Sequence, residues 1–195
     1  MPFFTDAQLR ELSAEFPRFT TSRNLGRGTA FPATADVPGG LRADDTFRRT
    51  DLDWDCFYDG TRWLTNFEMQ ISEVVTTFTA TNNSAFDSVF RTDYAPFITR
   101  IVVVTSVATT NNATNFWTIG ISGVNLAKGA ATTIYSFTTA AHTLATLTLT
   151  EVGGVSLTNQ VLGANAQYWR VSVTTTLAPG TLTIHPTTFY RLIVT

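Results

Sequence analysis

The chain has 195 residues, a net charge of −2 and a single cysteine, Cys56. That length allows one sizeable domain, or a main domain with a small appendage, and a core that needs no staples. The near-neutral charge gives no long-range pull on nucleic acid or acidic membranes, and a lone cysteine excludes an intramolecular disulfide and fits a reducing place of synthesis.

The first residues, MPFFTDAQLRELSAEF, carry acids and no long apolar run, unlike a signal peptide. No apolar stretch is long enough to cross a bilayer as a helix. Residues 6–16 predict a short helix. Thr5 and Gln8 have the capping-box spacing, and Leu9, Leu12 and Phe16 form one apolar face. Pro17 stops it. A helix this short does not stand alone in water, so its stripe is read as an anchoring face. Residues 18–44 are rich in Gly and Pro and have no sustained period. They are a connector, or an arm that crosses another subunit.

Residues 46–68 predict a small antiparallel hairpin module. Phe47–Thr50 pairs with Cys56–Tyr58, Asp59-Gly60 marks a turn, and Arg62-Trp63-Leu64 returns. Phe47, Phe57 and Trp63 are its expected mini-core. From 69 to 195 the pattern is β throughout. The expected strands are 74–81, 97–107, 116–122, 133–137, 144–152, 167–175 and 189–194. Trp117, Ile119 and Ile121 share a face, as do Trp169, Val171 and Val173 opposite Arg170, Ser172 and Thr174. Asn82-Asn83, Asn111-Asn112, Gly153-Gly154 and Pro179-Gly180 punctuate them. The fold class is therefore all-β: an antiparallel, jelly-roll-like β-sandwich over 69–195, preceded by the helix and arm (1–45) and the hairpin module (46–68).

Beyond Ile101 the only formal charges are Lys128, Glu151, Arg170 and Arg191. Thr, Ser and Asn replace the rest. Such a surface suits a β protein that associates with copies of itself or with a large assembly, and equally a neutral, Thr-rich sandwich.

The stretch FRRTDLDWDCFYDGTRWLT, Phe47–Thr65, concentrates the candidate chemistry. Asp51, Asp53 and Asp55 have the spacing of the first three calcium-loop ligands. However, the sharp-turn glycine is Cys56 and the bidentate glutamate position is Arg62. Arg48, Arg49 and Arg62 neutralise the acids instead. In an extended segment the three aspartates would line one face and meet the arginines across the hairpin. No acid has the apolar flanks that raise a general acid's pKa. His142 and His185 lack Asp or Cys neighbours, and no G-x-S-x-G occurs. Cys56 sits among acids, which raise a thiol pKa. Catalysis, a cofactor and nucleic-acid binding are not expected.

The same stretch carries a resemblance. DDTFRRTDLDWDCFYDGTRWLT, about Asp44–Thr65, resembles a module of tailed-bacteriophage virion proteins with the phrase GD-x-FYRTDL…FYYDGTRWL. Its residues here include Arg49, Asp51, Phe57, Tyr58, Asp59, Gly60, Arg62 and Trp63. The usual glycine after the leucine is Asp53. The resemblance implies a structural hairpin that joins an attachment part to a β-rich body. It also implies a homotrimer in the virion, anchored to other virion proteins by the helix and arm. The expected function is a non-enzymatic short tail-fibre or baseplate-tip protein, with host-surface glycan as a partner of the sandwich. A capsid decoration (cement) protein and a polysaccharide-degrading tail spike are the alternatives.

Overall fold

The computed structural model describes residues 22–72, 76–79, 84–89, 94–107, 112, 114–124, 131–141, 148–153, 156–162, 168–177 and 179–195. Two compact units divide it. One ends at Asn66 and takes in Val194–Thr195; the other is Phe67–Ile193. The first holds both the hairpin and the described part of the expected arm, and the boundary falls at Asn66/Phe67 rather than at 68/69. The expected helix, with Leu9, Leu12 and Phe16, lies outside the described residues.

The hairpin unit holds four strands, β1 (Asn24–Gly28), β2 (Thr46–Arg49), β3 (Trp54–Tyr58) and β4 (Trp63–Thr65), paired side by side in that order. β2, β3 and β4 pair antiparallel in chain order, with Phe47 opposite Cys56 and Tyr58 opposite Trp63. β1 joins the far edge of β2 in parallel, which the sequence reading missed. Parallel neighbours need a long connection. The Gly/Pro-rich residues 29–45 supply it, so within this unit they serve as a connector.

Alternation along β2 and β3 puts Phe47 and Cys56 on one buried face and Phe57 on the other. Phe57 is therefore only half-buried, and the mini-core recruits Phe31 in its place. Phe31 stacks on Trp63 with centroids 4.5 Å apart and planes 4° apart, and Phe47 lies 5.6 Å from Phe31.

The second unit is a β-sandwich. Its strands are β5 (Met69–Ser72), β6 (Thr76–Phe78), β7 (Ser84–Val89), β8 (Pro96–Val107), β9 (Phe116–Val124), β10 (Thr132–Thr138), β11 (Thr148–Gly153), β12 (Tyr168–Thr176) and β13 (Leu182–Val194). β13 pairs with β8, and β8 with β11; the other edge of β13 takes β6 at 182–184 and β5 at 187–190. The second sheet runs β10-β9-β12-β7. All these pairings are antiparallel.

Both sheets feed one core. Ile101 and Val103 of β8, Trp117, Ile119 and Ile121 of β9, Val171 and Val173 of β12, and Leu182 and Ile184 of β13 are all buried in it. Each fully buried side chain of this size contributes ~1.5–3 kcal/mol. The two triads expected to share a face, at 117–121 and 169–173, do so. In β8 a register shift opposite Phe189/Tyr190 leaves Thr99 as an extra residue. That bulge turns both Ile98 and Ile101 inward, although they are three positions apart.

The strand expected at 189–194 begins at Leu182 and runs through Pro186. Proline normally argues against a central strand, because it cannot donate to the ladder. Here it falls between the stretches of β13 that pair with β6 and with β5, and lies opposite Val103 of β8. Asn112 makes the expected turn, its Oδ1 accepting from Thr114 N–H at 2.9 Å and Asn115 N–H at 3.0 Å.

Candidate functional site

The phrase that stood out in sequence is a set of interlocking turns. Asp59 Oδ1 accepts from the N–H groups of Thr61 and Arg62, both at 2.8 Å, and the Asp59 N–H donates to the Arg62 carbonyl at 3.0 Å. The loop 59–62 is thus a four-residue connection capped by an aspartate side chain, not a two-residue hairpin turn. Gly60 has φ 98°, which a residue with a Cβ adopts only under strain. Arg62 Nε lies 3.4 Å from Asp59 Oδ2, and the Tyr58 and Trp63 rings flank the loop with centroids 5.4 Å apart.

The turn before β3 sorts the aspartates. Asp51 and Asp53 sit in it, and only Asp55 lies on a strand. The expectation that all three line one face does not hold, because residues 50–53 are a turn and alternation fails there. Arg49 grips Asp51 with two bonds of 2.9 Å, donates to the Thr195 carbonyl at 2.8 Å, and lies 4.9 Å over the Phe31 ring. The Arg49 bond is the main reason the Asp51 carboxyl is held below its ordinary pKa. Arg48 points to the opposite face and bridges Asp55, at 2.9 Å, and Asp53. Its guanidinium pKa is raised, first by the Asp55 bond. Among the described residues no three His, Cys, Asp or Glu side chains converge to hold a metal.

Asp53 has φ 57° and Asp44 has φ 70°. Both are left-handed conformations, which glycine adopts without strain and aspartate tolerates. In the resembling phrase glycine stands at both positions.

Sequence reasoning missed the half-buried ion pair between Arg23 and Asp45. Asp45 is 1 % exposed. It accepts two bonds from Arg23, at 2.9 Å from Nε and 2.7 Å from Nη2, and one from the Arg42 N–H at 2.7 Å. Arg23 also donates to the carbonyls of Pro38 and Gly40, closing the connection from β1 to β2. The Arg23 bond, with lesser help from Arg42, holds the Asp45 carboxyl below its ordinary pKa against the cost of burial. Asp45 stands where the quoted phrase has its first aspartate, which was the available signal.

Cys56 is fully buried beneath this sheet, and its thiol is pushed up to about 11. Burial is the first cause. The neighbouring acids Asp55 and Asp51 contribute less, and Arg49 opposes them. A protonated, enclosed thiol is a poor nucleophile.

A cleft of about 540 Å³ opens on the hairpin unit. Its polar walls are Asn24, Arg27, Thr46, Arg48, Asp55 and Asn66.

The sandwich presents hydroxyls. On the second sheet, register aligns Thr138, Thr118 and Thr174 in one row and Ser136, Gly120 and Ser172 in the next. All six are on the face away from the core. A Cβ at Gly120 would lie 2.7 Å from Ser172 Oγ, so glycine is what lets the two strands sit this way. On the first sheet Ser72 and Thr187 pair at 3.1 Å, and Thr77 and Thr183 at 3.2 Å. Arg100 binds Glu151 at 3.0 Å and lies 3.9 Å over the Phe189 ring. His185 is exposed on β13, and His142 lies outside the described residues.

No family model and no curated protein matches the chain. Among solved structures, the chain is similar to the VP2 subviral particle of infectious bursal disease virus, at 10% identity over 81% of this chain and 41% of that one, with a TM-score of 0.38. It is also similar to the family 11 carbohydrate-binding module from Clostridium thermocellum in complex with a beta-1,3-1,4-mixed-linked tetrasaccharide. There the identity is 10% over 65% of this chain and 88% of that one, with a TM-score of 0.31. The chain thus spans less than half the length of the viral protein it is compared with. Neither likeness assigns a family or a function.

Proposed function

We propose that this chain is a non-enzymatic structural protein of a virion: a short tail-fibre or baseplate-tip protein of a tailed bacteriophage. In this reading the hairpin unit belongs to the attachment end, and the sandwich faces outward toward host-surface glycan. The observation that carries it is the hairpin itself. Arg49, Asp51, Tyr58, Asp59, Gly60, Arg62 and Trp63 each have a structural task in the locked loops, and the two aspartates at glycine positions hold φ of 57° and 70°. A motif of that kind is architectural.

The sandwich supports the same reading. With β6 as first strand, one sheet runs first-eighth-third-sixth (β6-β13-β8-β11) and the other second-seventh-fourth-fifth (β7-β12-β9-β10). This is the interleaving of a jelly roll, an architecture used both in viral capsids and in lectins. Fold alone does not choose between them. The hydroxyl rows suit side-by-side association of copies, because they bring few charges to desolvate.

The test is mass and place. Light scattering of the purified protein is expected to give about three times the 21.4 kDa of one chain. Labelled protein is expected at the tail tip of the particle. A strict monomer that fails to associate with the other particle proteins overturns the proposal. A label spread over the head would favour the decoration reading instead.

A further inference from the structure

The cleft of the hairpin unit has no part in the reading above. It crosses the strands rather than following one. Register sets Arg27 of β1 beside Arg48 of β2, and Arg48 beside Asp55 of β3. Asn66, just beyond β4, is tied to the Asp55 carbonyl through its N–H at 2.8 Å. In the next row Asn24 lies beside Thr46. Two guanidiniums, a carboxylate, two amides and a hydroxyl therefore line one space of about 540 Å³, within the range of small-ligand sites.

Their bonding capacity is partly open. Asn24 Oδ1 accepts from the Gly26 N–H at 2.8 Å, which leaves its two amide N–H groups available. Asp55 takes the Arg48 bond on Oδ1, and Oδ2 remains an acceptor. Arg48 is neutralised by Asp53 and Asp55. Arg27 is different: its guanidinium makes no ion pair or hydrogen bond among the described residues, whereas those of Arg23, Arg48, Arg49, Arg62 and Arg100 all do. A ligand's negative group belongs at Arg27, where a carboxylate can be met by two parallel N–H bonds. Hydroxyls, which both donate and accept, match the Asp55 oxygen and the Asn24 amide. An added peptide strand would instead need a free run of backbone N–H and C=O groups along the cleft, and this cleft runs across the ladders.

We infer that the cleft binds an acidic sugar, with the carboxylate on Arg27 and ring hydroxyls on Asn24, Thr46 and Asp55. The inference uses only the hairpin unit's own side chains and does not rest on the virion assignment.

The test is calorimetric titration of the full chain at low salt with five probes: sodium glucuronate, hexagalacturonate, glucose, acetate and tetraglutamate. Glucuronate is expected to bind in the millimolar range, with glucose and acetate at least tenfold weaker. Arg27 is exposed, so Arg27→Gln is expected to leave the melting temperature unchanged and weaken glucuronate at least tenfold. Hexagalacturonate binding tighter than glucuronate identifies a polymer as the source; equal binding identifies the single sugar. The inference fails if neither uronate binds, if glucose binds as well, if Arg27→Gln changes nothing, or if tetraglutamate competes equally. None of these failures alters the expected mass or particle location.

Discussion

Gly123 and Leu162 form a contact whose energetics can be worked from geometry. Gly123 lies on β9 opposite Trp169, and the buried Leu162 side chain covers it. A Cβ added at Gly123 would lie 2.3 Å from Leu162 Cδ2, 3.1 Å from Cδ1 and 3.3 Å from Cγ. Carbon atoms prefer about 3.5–4.0 Å, so the leucine must retreat by roughly 1 Å into a packed core. Gly123→Ala should therefore cost ~1–3 kcal/mol, the range for overpacking. Leu162→Ala should cost ~2–5 kcal/mol through lost burial and the cavity left behind. The double variant removes the clash, because the three offending carbons are gone, and the new methyl fills part of the cavity. It should be no less stable than Leu162→Ala alone, a coupling of ~1–3 kcal/mol. Urea denaturation at fixed protein concentration measures this, provided the slope m is unchanged. If Gly123→Ala costs as much on the Leu162→Ala background as on the native one, the contact is not the cause and the reasoning fails.

Three further outcomes follow from the hairpin unit. Asp53→Gly should leave the urea midpoint unchanged or raise it, since glycine relieves the φ of 57° and the ion pair it removes is exposed, whereas Asp53→Val should lower it. The Cys56 thiol titrates near 11 in the folded chain against an ordinary 9.0, so its contribution is fully present below pH 9 and is lost as pH rises toward 11. Stability of the native chain minus that of Cys56→Ala should fall across that window and stay flat below it. Asp45 has the opposite sign: its folded pKa is depressed, so its contribution is present above the ordinary value of 3.8 and is lost as pH falls through the folded value. Acid unfolding followed by circular dichroism should show a steeper limb for the native chain than for Asp45→Asn.

What the sequence made legible was local or periodic. Trp117, Ile119 and Ile121, and Trp169, Val171 and Val173, could be placed because a buried strand face forces a period of two. The turn at Asp59 and Gly60 could be placed because Asp59 acts within three residues of its partners, whereas the Arg49–Asp51 grip was expected only as a general neutralisation of the acids, across the hairpin. What failed was nonlocal. β1 pairs with a strand about twenty residues away and in parallel, so no turn announced it. Phe31 looked like loop until the fold brought it onto Trp63. The start of β13 was hidden by Pro186, and the bulge that resets the phase of β8 at Thr99 left no mark in the expected strand 97–107. The cleft depends on the register of β1 against β2, including a shift between Asn24 and Arg27, which composition alone does not encode.

The position of β13 has a kinetic consequence. It lies between β6 and β8, and β12 lies between β9 and β7, so apart from the β9–β10 pair neither sheet can zip up from strands that follow one another in the chain. During synthesis, β6, β7, β8 and β9 all leave the ribosome before the strands that separate them exist. The sandwich must therefore wait, with apolar strand faces exposed, until residues 182–194 emerge. Pairings this distant in sequence make folding slow. Crowding, chaperone supply and growth temperature would then govern how much of this chain reaches its folded state.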